Sequence, residues 1–267
     1  MESVPSTLAR FAPSVSPLLV DLVCGCEVED AGHTDADYTG LFRRLRKDVH
    51  ALHSQIVSVI DNQQNIPASA VFPFLCRKFL EVSMTSILAR IDPMRVIAAR
   101  KHQQRDNYEQ GKPNASSISW TGDILPADKP QNGDIWDSAN LKKGTERSLL
   151  GWHIGDVAFN PGLRWIVDNS AVSSDWITKL SEPENPFAWI KGALAPLYST
   201  LSKGVHAEYL LDDEVAFDAV SIRQFAYDGY MLVCLLSAAT HVTPFFARPL
   251  QPERALMSLA EIEKMFQ

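Results

Sequence analysis

The chain has 267 residues, a formal net charge of −7, and apolar and charged shares of 46% and 21%. These are ordinary globular values, so the chain supports a sizeable buried core and wholesale disorder is excluded. The acidic balance argues against a chain-wide nucleic-acid or membrane surface but leaves room for a local basic groove. No apolar run approaches the ~18 residues of a membrane span.

Residues 1–36 read as an irregular segment, with Pro5, Pro13, Pro17 and the acidic cluster Glu27, Glu29 and Asp30. A short apolar helix or strand from Pro17 to Val23 is the one piece expected to dock on the body. Phe11 to Cys26 does not read as a signal peptide, because Pro13, Pro17 and Asp21 interrupt it and no basic cluster precedes it.

Residues 37–105 read as the first helical half of a bundle. Leu41, Leu45, Val49, Leu52, Ile56, Val59 and Ile60 hold the three-four spacing of one helix face. The other side carries Arg43, Arg44, Arg46 and Lys47, with His50 and His53. Such a face could track phosphates, although a row of cations is also what a solvated surface looks like. The next helix, from about Ala68 to Arg90, is apolar around most of its girth and is expected to be central. Within it Arg77 and Glu81 stand at i, i+4, the spacing of an ion pair, here expected to be partly buried and to fix helix register. Asp92-Pro93 ends it and opens a short helix to about Gln104.

Residues 106–145 change character, with Gly, Pro, Asn, Asp and Ser dominant and Trp120 and Trp136 standing alone. Forty residues without periodicity is too long for an ordinary connection. The segment reads as an insertion, and its tryptophans are the residue type that anchors interfaces.

Residues 146–267 read as the second helical half. A helix from Pro186 to Glu208, which Pro196 should kink or split, places Tyr198, Ser202 and His206 four residues apart on one face. The expectation is a buried, hydrogen-bonded histidine facing the helix that bears Arg77 and Glu81. The functional alternative is an acid–base or RNA-contacting imidazole. A long apolar helix from Glu214 to His241 and a short amphipathic one from Pro252 to Phe266 complete an all-α helical bundle with a long insertion.

The four cysteines are Cys24, Cys26, Cys76 and Cys234. Cys76 and Cys234 read as small buried hydrophobes. Cys24-Gly-Cys26 with His33 and His50 matches no closed zinc spacing, so no metal is expected. Neither a Gly-rich phosphate loop nor His-Glu-x-x-His is present, so no cofactor is expected either. A reduced, cytoplasmic setting without membrane attachment is the simplest reading.

The run Arg77-Lys-Phe-Leu-Glu81-Val-Ser-Met-Thr-Ser-Ile-Leu88, followed later by Tyr198-Ser-Thr-Leu-Ser202-Lys-Gly-Val-His206, resembles HEPN-like domains. These are compact helical bundles frequent in bacterial phage-defence and toxin–antitoxin loci. The resemblance covers about residues 37–104 and 186–243. Catalytic members resemble one another in an Arg-x₄₋₆-His motif in a late helix, two copies of which meet across a dimer to cleave RNA without metal. Here His206 takes the histidine position, but residues 199–201 are Ser, Thr and Leu, so the arginine is missing. The spacing does occur outside that helix, for example at Arg44 to His50 and at Arg95 to His102. The resemblance with this departure implies a non-catalytic binding or regulatory subunit, engaging a protein partner or a second copy through the insertion. The rival reading is a metal-independent ribonuclease using His206 with Ser202 and Tyr198, or else Arg44 with His50. A third is a nucleic-acid-binding module using Arg43 to Lys47.

Overall fold

The computed structural model describes residues 8–27, 36–61, 68–109, 154–170, 174–206 and 217–267. Trp120 and Trp136 of the insertion, and His33, lie outside the described residues. The described residues form a helical bundle with no strand, as the periodicity predicts. The α-helices are α1 (Leu8–Cys24), α2 (Ala36–Asp61), α3 (Ala68–Ile91), α4 (Pro93–Gln103), α5 (Asn160–Asn169), α6 (Asp175–Ser181), α7 (Pro186–Val205), α8 (Ala219–Ala239) and α9 (Pro252–Lys264). A single π-helical turn, Gly155–Phe159, leads into α5.

Local chemistry sets the helix starts. The side chains of Asp92, Ser174, Asn185 and Asp218 each accept a backbone N–H in the first turn of α4, α6, α7 and α8. Pro93, Pro186 and Pro252 open α4, α7 and α9, where a missing N–H costs nothing.

The helices α3 and α8 are the centre. From Gly229 to Ala239 every residue of α8 is buried, and α3 packs on α1, α2, α7 and α8. Phe79 of α3 stacks on Tyr230 of α8 with ring centroids 4.5 Å apart, and the Tyr230 hydroxyl meets His53 Nδ1 of α2 at 2.9 Å. Among the described residues no helix is long and apolar enough to cross a membrane.

Three expectations are corrected. The N-terminal segment is not irregular throughout: α1 runs through both Pro13 and Pro17. Val15, Leu19, Leu22 and Val23 sit at i, i+4, i+7 and i+8 and are all buried, so their packing on α2 and α9 outweighs the two proline penalties. Of the kink or split expected at Pro196, the split is absent, since α7 continues to Val205. Pro196 and Gly192 both lie on the exposed side, so water can satisfy the Gly192 carbonyl that the proline leaves without a donor. The last long helix opens at Ala219 rather than Glu214, where Asp218 supplies the cap.

Candidate functional site at the seam of α3 and α7

The helices α3 and α7 approach closely near the C-terminal end of α7, and Gly204 permits it. A Cβ at that position would stand 2.7 Å from the Phe217 ring and 2.9 Å from Pro73 Cγ. One turn beyond Pro73 on α3 is Arg77, and two residues beyond Gly204 is His206, the residue that closes α7. The close packing therefore brings the two side chains together.

The Arg77 Nε–H donates both to Glu81 Oε1, at 3.1 Å, and to the Tyr198 hydroxyl, at 3.0 Å. Tyr198 in turn donates to the same Glu81 oxygen at 2.7 Å. The guanidinium also lies over the Tyr198 ring, 4.9 Å from its centroid. At the solvent edge Arg77 Nη1 is 3.3 Å from His206 Nε2. A guanidinium only donates, so this contact uses the lone pair on Nε2 and leaves any ring proton on Nδ1.

The charges of the cluster are mutually compensated. Partial burial lowers the Arg77 pKa, but the hydrogen bonds and charge of Glu81 and Tyr198 outweigh it and the net shift is upward. Burial and the adjacent Glu81 carboxylate push the Tyr198 phenol above its ordinary value against the pull of Arg77. Tyr198 therefore remains a hydroxyl donor at any physiological pH.

The expected ion pair of Arg77 and Glu81 is present and partly buried, with side-chain exposures of 25% and 34%. His206 does meet the central helix as expected, but it is exposed and does not face inward. Its place one residue past the last helical residue of α7 leaves its ring at the solvent edge of the seam. Ser202 is half-buried; its carbonyl receives the His206 N–H at 3.0 Å, and its hydroxyl makes none of the hydrogen bonds of the cluster.

The basic face of α2 is divided. Arg46 turns away from its neighbours to Asp21 of α1 at 2.7 Å and the Gly25 carbonyl, leaving its side chain 16% exposed. It follows Arg44 by two residues, roughly 200° around the helix. His53 is likewise removed from that face and buried against Tyr230. Arg43, Arg44 and Lys47 are exposed, with Arg44 paired to Asp48 at 2.7 Å. His50 sits beside them, its Nδ1 2.6 Å from Ser16 Oγ of α1. Arg44 and His50 thus have separate partners. Arg95 pairs with Asp92, and His102 lies edge-on to Tyr108.

Two buried charged side chains stand outside every motif read from the sequence. Arg90, 1% exposed at the end of α3, donates to the Ala247 carbonyl at 3.0 Å, to the Thr240 carbonyl at 3.2 Å and to the Thr240 hydroxyl. Its Nη2 is also 3.2 Å from His241 Nδ1. Glu263 of α9 is buried too, accepting from Ser174 Oγ at 2.6 Å and the Tyr227 hydroxyl at 3.1 Å. For Arg90 the signal is a charged residue inside the apolar run Ile87-Leu-Ala-Arg90-Ile, whereas Glu263, set between Ile262 and Lys264, carries no such local signal. The thiol of Cys24 is buried, with burial raising its pKa to about 11. Among the described residues no three His, Cys, Asp or Glu side chains are grouped to hold a metal ion. The chain matches no family model, no curated protein and no solved structure.

Proposed function

We propose that the protein is a non-catalytic, HEPN-like binding or regulatory subunit. The observation that supports this reading is the commitment of Arg77. It is the arginine that the tertiary fold supplies to His206 in place of the one missing from residues 199–201. Its Nε is shared between Glu81 and Tyr198, and the Glu81 carboxylate neutralises its charge. An arginine that stabilises developing negative charge must present that charge to the reacting phosphate, and here a carboxylate already takes it. The cluster acts as a clamp between α3 and α7. The surface around it suits docking: Phe74, one turn before Arg77, and Val205, next to His206, are both exposed. Tyrosine and arginine beside exposed apolar groups are the residue types that carry binding energy at interfaces. The resemblance would place such a subunit in a bacterial anti-phage or toxin–antitoxin system, with the segment 106–145 engaging a protein partner or a second copy.

The second reading, a metal-independent endoribonuclease, is favoured by the exposure of His206, whose imidazole stands in water beside a guanidinium. Incubation of total RNA with the protein in excess chelator separates the two. We expect no cleavage from wild type. Cleavage that disappears in His206→Ala would replace the binding reading with the ribonuclease.

A further inference from the structure

The helix α4 has a composition that its length alone would not suggest. It contains no acidic residue, and its last turn reads Arg100-Lys-His102, followed two residues past the helix by Arg105. The structure lays this end of α4 beside the start of α2. Lys101 Nζ is 2.5 Å from Asp37 Oδ2, and a Cβ at Gly40 would lie 3.5 Å from Arg100 Nη1. Arg43, Arg44 and Lys47 follow on the exposed side of α2 within two turns of Gly40. Two segments more than fifty residues apart in sequence thereby form one basic surface on a chain of net charge −7.

Two carboxylates lie within this surface, and each offsets one of its cations, Asp37 that of Lys101 and Asp48 that of Arg44. Asp106 follows Arg105 directly and, with Glu109, forms the acidic margin of the surface beyond α4. Cations in the last turn of α4 also offset the negative end of its macrodipole. That role explains Arg100 to His102 and does not extend to Arg43, Lys47 and Arg105. Successive cations at i, i+4 stand about 6 Å apart along a helix, a stride suited to consecutive backbone phosphates. The surface is richer in arginine than in lysine, and arginine matches phosphate oxygens with two parallel donors. The exposed His102 ring, edge-on to Tyr108 with centroids 6.2 Å apart, adds a ring on which a base can stack. Gln103 and Gln104, exposed between the cations, favour a nucleic acid over a lipid surface.

We propose that the α2–α4 surface is a binding site for a single-stranded polynucleotide, built from Arg43 and Lys47 of α2 with Arg100 and Arg105 at the end of α4, Arg44 and Lys101 being held in ion pairs within it. The site uses different residues from the α3–α7 seam and does not depend on the reading of that seam.

The test is fluorescence anisotropy with a labelled twenty-nucleotide oligouridine, titrated at several salt concentrations. Wild type should bind with an affinity that falls steeply with salt. Two double variants, Arg43→Gln/Lys47→Gln and Arg100→Gln/Arg105→Gln, should each weaken binding by about tenfold or more. Each should also reduce the log–log salt slope by about 1.4, two phosphate contacts for single strands. Ultraviolet crosslinks on the wild-type protein should map to residues 36–50 and 93–108, a readout independent of variant folding. Absence of oligouridine binding by wild type would overturn the site. So would either double variant binding like wild type, or capture by phosphatidylserine vesicles without RNA binding.

Discussion

Glu81 and Tyr198 are 117 residues apart in sequence and 2.7 Å apart in the fold, joined by a phenol hydrogen bond across the seam of α3 and α7. The same carboxylate oxygen holds Arg77, so one atom of Glu81 ties together three side chains from two helices. Tyr198→Phe should leave the ring in place and remove both hydrogen bonds. Because Glu81 is about a third exposed, solvent offsets part of the loss, and about 1 kcal/mol of stability is expected to go. Urea denaturation measures it. A midpoint equal to wild type would show that the clamp contributes nothing to stability.

Arg90 should behave differently from every surface arginine. Burial brings its pKa down to about 10, with Cys24 the largest opposing influence, so it stays charged at neutral pH. Its donors satisfy the carbonyls of Thr240 and Ala247, and the Ala247 N–H returns a bond to the Arg90 carbonyl at 2.8 Å. Arg90→Ala should cost on the order of 3–5 kcal/mol, because it leaves a cavity and strips two buried carbonyls and a buried hydroxyl of their donor. Arg90→Lys should recover little, because an ammonium cannot present the same planar set of donors. Thermal denaturation of both variants checks this, and near-wild-type stability of the lysine variant would refute the planar requirement.

His241 predicts a pH dependence. Burial, reinforced by the neighbouring Arg90 charge and opposed by the Leu22 carbonyl, lowers its pKa from 6.5 to about 3. The neutral ring suits its contacts: Nε2 donates to the Leu22 carbonyl at 2.7 Å and Nδ1 accepts the Leu250 N–H at 2.8 Å. Below pH 6.5 the unfolded chain binds a proton that the folded protein refuses, so stability rises with pH in that range. The contribution is complete above about pH 6.5 and is lost as pH falls toward 3. The slope of stability against pH should be shallower in His241→Gln than in wild type by up to about 1.4 kcal/mol per pH unit. Parallel wild-type and variant curves between pH 6.5 and 4 would rule out this linkage.

The two glycines of α7 should respond in opposite directions to alanine. A Cβ at Gly192 would meet nothing within 4 Å beyond its own helix backbone, so Gly192→Ala should stabilise by about 0.5–1 kcal/mol through helix propensity. Gly204→Ala gains the same propensity, but its methyl group meets Phe217 and Pro73 below 3 Å. Pro73 is a rigid ring in α3 and yields little, so a net loss of about 1–3 kcal/mol is expected. The His206 ring resonances should move with it, because the end of α7 is displaced from Arg77. Denaturation midpoints and proton NMR of His206 check both halves.

Much of this arrangement is legible in the chain. Apolar spacing marks α2, α3, α8 and α9, and Asp92-Pro93 marks the junction of α3 and α4, because those signals are local and set by 3.6-residue periodicity or by proline geometry. The pairing of Arg77 with Glu81 follows from the same periodicity. α1 shows where local rules lose: two prolines suggest an irregular segment, and burial of Leu19 and Leu22 against other helices decides for a helix.

Sequence by itself determined that the protein is a helical bundle and that Tyr198 and Ser202 share a side of one helix, because both follow from spacing within a single element. Tertiary structure alone decided the partners of those side chains. Whether Tyr198 reaches Glu81, whether Arg46 turns to Asp21 while Arg44 stays in solvent, and whether α4 lies beside α2 depend on contacts between distant segments. Such contacts are set by how whole helix faces pack, and no pattern within one helix encodes them.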